Sequence, residues 1–132
     1  ALRDAMGDDV DWMARLPWYL AGERNGQGFI AVHAGLSSAP VQQQLEALDT
    51  PEAYFRPEAG LPTSLYLRRI AEVPIDLPPG WDVVSGHTAM EQALIRPGRI
   101  MCDTTGGEAG HPLTSVVWPD REVYSAYAPS ER

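Results

Sequence analysis

The chain has 132 residues, 44% of them hydrophobic, and a formal net charge of −8. That is one domain's worth of chain with enough apolar material for a core, which excludes disorder. All ten positive charges are arginine and no run of them is long enough to form a patch, which argues against a nucleic-acid surface, because neutralising phosphates takes clustered cations.

The first residues, ALRDAMGDDV, lack the charged head and apolar run of a secretory signal and lack an initiator methionine, so the chain is expected to begin partway through a longer protein. Asp8 or Asp9 caps a short amphipathic helix with Val10, Met13 and Ala14 on one face, and Pro17 stops it. The stretch GFIAVHAGL then runs four apolar residues into His33. Such a run reads as a strand over residues 29–34, covered on both faces as inside an α/β sheet. Ala34 and Gly35 let the backbone turn and let a ligand approach closely. Alone, His33 is either a core histidine bonded to a carbonyl or a functional group at a strand's carboxyl end.

Next, Pro40 stands near a helical first turn, Val41, Leu45 and Leu48 recur at helical spacing, and Pro51 ends that helix. PTSLYLRRIAEV gives a further short helix over residues 62–73. DVVSGHTAM repeats the device of the first histidine: Val83 and Val84 form a strand, Ser85 and Gly86 open it, and His87 follows. Two imidazoles at neighbouring parallel strand ends converge on one point, as a zinc, manganese or iron ion requires. Further strands are expected over residues 99–103, 113–118 and 122–127, the last two joined by a turn at Pro119-Asp120. The order is α-β-α-α-β-β-β-β, an α/β domain with an α+β, strand-rich carboxyl end. No stretch approaches the ~20 apolar residues of a membrane span. The single cysteine, Cys102, forms no disulfide within the chain and points to a reducing, cytoplasmic setting.

In order, WMARLPWYL, FIAVHAGL, SLYLRR, DVVSGHT, RIMCDTTGG and PLTSVVWPDREVYS resemble the carboxyl-terminal half of a bacterial serine/threonine phosphatase of the phosphoprotein phosphatase family, in the calcineurin-like metallophosphoesterase superfamily. The resemblance implies that residues 1–132 are the carboxyl-terminal part of one phosphoesterase domain, a partial α/β sandwich. It implies that His33 and His87 bind one metal of a dinuclear centre holding manganese, iron or zinc, and that Arg68 of LYLR binds the substrate phosphate. Guanidinium suits that role, because its planar fork matches phosphate oxygens. Asp103 matches the aspartate of the family's I-D-T-G segment and is expected to hold a loop. Tyr66 stands where the family usually has tryptophan, and Thr105 where glycine is common. His111 matches no ligand position and reads as a turn or strand-edge residue.

Three segments of the family, G-D-x-H-G, G-D-x-V-D-R-G and G-N-H-E, have no counterpart here. GDDVDW matches part of the second, but no Arg-Gly follows, so Asp8 and Asp9 read as helix-capping carboxylates. The chain is therefore expected to supply half of a dinuclear site and no catalytic acid. Its expected partners are the missing amino-terminal half and a phosphoprotein or small phosphoester substrate, with neither nucleic acid nor membrane. Three readings follow: part of an active phosphatase or a similar diadenosine tetraphosphatase, a non-catalytic binding module derived from the fold, or a mononuclear hydrolase using His33, His87 and Asp103. If half a sandwich is absent, the strands near 29–34 and 83–85 are expected to lie at an open flank.

Overall fold

In the computed structural model, which describes residues 7–13, 15–49 and 74–127, the chain opens on α1 (Asp8–Met13). Gly7, with φ 53°, sits just before it, and Asp8, Asp9 and Asp11 occupy the first turn, where carboxylates favour the helix dipole. None of its described side chains is fully buried: of the expected apolar face, Val10 is half-buried and Met13 is exposed, while Ala14 lies outside the described residues.

Asn25 and Gly26, both at positive φ (55° and 75°), make a two-residue turn between β1 (Tyr19–Arg24) and β2 (Gln27–Val32). After β2 the chain reaches α2 (Val41–Asp49), and later β3 (Trp81–Ser85), β4 (Leu94–Arg96), β5 (Arg99–Met101), β6 (Leu113–Val117) and β7 (Glu122–Ala126). β1 and β4 were not expected from the sequence. β1 is mostly exposed and its residues do not alternate in hydrophobicity, while β4 is only three residues long. The helix expected over 62–73 lies outside the described residues.

The result is a mixed α/β fold with a five-stranded sheet in the order β1-β2-β3-β5-β4 and a separate two-stranded hairpin, β6-β7. β2, β3 and β5 run parallel, with β1 and β4 added antiparallel at the edges. β2 and β3 thus have neighbours on both sides, which corrects the expectation of an open flank at those strands. Exposed apolar side chains lie elsewhere, at Trp12, Met13, Leu16 and Leu20 and on the hairpin at Leu113, Val117 and Tyr124. Among the described residues no helix is long and apolar enough to cross a membrane.

One face of the sheet presents Ile30, Val32 and Val83 to Leu36 and to Leu48 of α2. Burying each such side chain contributes roughly 1.5–3 kcal/mol. Gln44 fixes the chain between β2 and α2: its Oε1 accepts from the Ser37 N–H (2.8 Å) and hydroxyl (3.1 Å), and its Nε2 donates to the Ala39 carbonyl (2.6 Å). The opposite face carries Phe29 and Asp82, which are register partners. Both meet the turn of the hairpin: Phe29 packs on Trp118 with ring centroids 5.0 Å apart, and Asp82 pairs with Arg121. Thr104 donates to the Pro112 carbonyl (2.6 Å) and lies 2.7 Å from the Thr114 hydroxyl, which reaches Ser125 at 2.9 Å. This row of hydroxyls joins the hairpin to the chain that follows β5.

Gly28 of β2 sits beside Trp81 of β3, and a β-carbon at that position would enter the indole ring. Gly28→Val should therefore displace Trp81 and lower unfolding stability by about 1–3 kcal/mol, the usual cost of overpacking. Urea unfolding followed by tryptophan fluorescence checks this.

Candidate functional site

The carboxyl ends of the three parallel strands lie side by side, the edge at which open α/β sheets bind ligands. His33 follows β2, Gly86 and His87 follow β3, and Asp103 follows β5. Main-chain bonds clamp these ends together. Gly86 N–H donates to the His33 carbonyl at 2.9 Å, and Cys102 N–H donates to the Ser85 carbonyl at 3.1 Å.

Thr88 N–H donates back to the Gly86 carbonyl at 2.7 Å, closing a three-residue turn around His87, whose φ is 64°. A turn of that kind at a residue other than glycine is uncommon and strained, costing on the order of 1–3 kcal/mol. It aims the ring at its neighbour: His33 Nε2 and His87 Nδ1 are 3.0 Å apart, with ring centroids separated by 4.8 Å and planes tilted by 58°. His33 is exposed and His87 is half-buried. A hydrogen bond between two imidazoles needs a lone pair on one nitrogen and a proton on the other, so the pair cannot form with both rings protonated. A divalent cation can replace that shared proton. Two nitrogens each about 2.1 Å from a common centre are separated by about 3.0 Å when they subtend a right angle there.

Beside His87, the Ser85 and Thr88 hydroxyl oxygens are buried and meet no hydrogen-bond partner among the described residues. Nothing in the sequence marked them, because the signal is burial without a partner rather than residue type. Asp103 turns its Oδ1 into its own loop, accepting from Gly106 N–H (2.8 Å) and the Thr105 hydroxyl (3.3 Å). Its other oxygen lies toward Gly86, 4.0 Å from where a β-carbon there would stand.

Among the described residues no group of three or more His, Cys, Asp and Glu side chains could hold a metal ion. The described site therefore offers two donors, which fit part of a coordination shell and leave a mononuclear site of His33, His87 and Asp103 unsupported. His111 stands apart, exposed before β6, with Nε2 4.0 Å from Glu108. Arg68, the expected phosphate-binding residue, lies outside the described residues.

Cys102 is free and half-buried, with Sγ 3.8 Å from the Ser85 carbonyl. Burial first, and then the Asp103 carboxylate, push its thiol above the usual range. A raised folded value means that the associated stability is fully present below the thiol's unfolded pKa of about 8.5 and is lost as pH rises through the folded one. At pH 8 the folded chain should react with Ellman's reagent at least about tenfold more slowly than the urea-unfolded chain, because less thiolate is present and access is restricted.

No protein-family model matches the chain, and a search of curated proteins finds no significant similarity.

Proposed function

We propose that this chain is the carboxyl-terminal part of a metal-dependent phosphoester hydrolase of the serine/threonine phosphatase type, with the partial phosphoesterase sandwich that the sequence resemblance implies and the cytoplasmic setting that its single cysteine suggests. The observation that carries this reading is the 3.0 Å approach of His33 Nε2 to His87 Nδ1 at the carboxyl ends of adjacent parallel strands. In the sequence, the ordered segments VHAG and SGHT, which contain these histidines, and IMCDT support it.

In this reading His33 and His87 hold one of two divalent cations as neutral donors. The complete metal pair would activate a water and stabilise charge on the transferring phosphoryl group. The γ-turn at His87 and the Gly86–His33 bond keep the two donors in place before any ion arrives, which removes the cost of arranging them on binding. Arg68 would bind the substrate phosphate through its planar guanidinium. The remaining ligands and the acid for the leaving group would come from an amino-terminal half.

The test is hydrolysis of p-nitrophenyl phosphate in manganese. The 132-residue chain is expected to be no faster than its His33→Ala/His87→Ala variant. Coding sequence upstream should carry the three missing segments in frame. Robust turnover by the chain alone would show a complete site within it, and an upstream stop codon followed by a start would favour the binding-module reading. That second reading draws support from the exposed Trp12, Met13, Leu16 and Leu20 near the amino-terminal end.

A further inference from the structure

We infer that two copies of this chain can share one divalent cation, each contributing His33 Nε2 and His87 Nδ1. The inference rests on the reading of these residues as metal ligands and goes beyond it, because it names a second copy of this chain as a source of donors when no amino-terminal half is joined to it. Four observations lead to it. The two nitrogens stand 3.0 Å apart, close enough to chelate one ion. His33 is exposed, so the pair lies at the surface. The described residues bring no third His, Cys, Asp or Glu into a metal-holding group with the pair. Finally, Thr104, which follows Asp103, holds the Pro112 carbonyl, so the next residue, Leu113, 71% exposed, lies near the same end of the sheet and supplies apolar surface for a second copy.

A closed four-coordinate shell is the arrangement zinc favours, and two bidentate imidazole pairs complete one. Zinc also has no electronic preference for a bond angle, so it can accept the bite that the 3.0 Å separation sets. The net charge of −8 on each chain opposes association and attracts the cation. Added sodium chloride screens the repulsion between copies. A zinc-bridged dimer should therefore strengthen as salt rises, the reverse of an association driven by opposite charges.

Sedimentation velocity of the chain, first in EDTA and then in zinc chloride, tests the inference beside calorimetric stoichiometry. The expected result is half an ion bound per chain and a rise of sedimenting mass from 14.4 kDa to twice that value, reversed by EDTA. The rise should be lost in His33→Ala and in His87→Ala and kept in His111→Ala. Circular dichroism of the two loss variants, matching that of the parent, shows that they remain folded; His33→Gln and His87→Gln serve if either alanine variant does not. One zinc per chain without a mass increase would overturn the shared site and leave the ligand reading standing. No zinc uptake would overturn both. Doubling that persists in the His33→Ala/His87→Ala variant would place the bridge elsewhere and overturn the inference.

Discussion

Arg121→Ala is expected to lower unfolding stability by about 3 kcal/mol, the low end of the roughly 3–5 kcal/mol for breaking a buried ion pair from one side. Asp82 is 3% exposed, and its two carboxylate oxygens lie 2.9 and 3.0 Å from Arg121 Nη2. Once the guanidinium is gone, the carboxylate keeps, among the described residues, only the Gly98 N–H at 3.0 Å and is otherwise buried without compensation. The low end applies because the Arg121 side chain is itself 35% exposed. Asp82→Ala should cost less, about 1.5–3 kcal/mol, because Arg121 can then turn to water while one main-chain donor and one charged bond are lost. Arg121→Gly should fall short of the alanine loss, since φ at this position is 60° and glycine adopts that conformation without strain. Urea midpoints at constant slope measure all three. An Arg121→Ala variant within about 0.5 kcal/mol of the parent would mean that the hairpin is not held to the sheet by this pair.

The second large effect concerns activity. Joining the chain to an amino-terminal half that supplies carboxylate ligands should give manganese-dependent hydrolysis of p-nitrophenyl phosphate. His33→Ala or His87→Ala should then reduce turnover by more than about 10²-fold, because even outer partners of metal ligands typically cost about 10–100-fold. Arg68→Ala should weaken it through lost phosphate binding, and EDTA should abolish it. Full activity in the double histidine variant would remove these residues from the mechanism.

Much of the site's position could be read from the residues because two short apolar runs each lead to a histidine, FIAV directly into His33 and Val83-Val84 across Ser85 and Gly86 into His87. Burial dictated the strands, and the break in each run marked its carboxyl end. The β1-β2 hairpin was missed although Asn25-Gly26 is a strong short-range turn signal, because weak alternation in YLAGER hid the strand before it. Pro97-Gly98 likewise marks the turn between β4 and β5, with Gly98 at φ 79°. Other features depend on tertiary contact and leave no local trace. Asp82 and Arg121 are 39 positions apart and meet only because the hairpin turn lies over that face of the sheet. Gln44 gives no sign in sequence that its amide closes the loop before α2, and the bare hydroxyls of Ser85 and Thr88 are visible only once burial is known.

The most direct measurement is the imidazole ¹⁵N spectrum of the chain titrated with zinc chloride. The resonances of His33 Nε2 and His87 Nδ1 should move together to metal-bound positions while both nitrogens of His111 stay in place. If the His33 and His87 resonances remain unmoved at zinc excess, or only His111 responds, the pair is not a metal site and the phosphatase reading loses the observation that carries it.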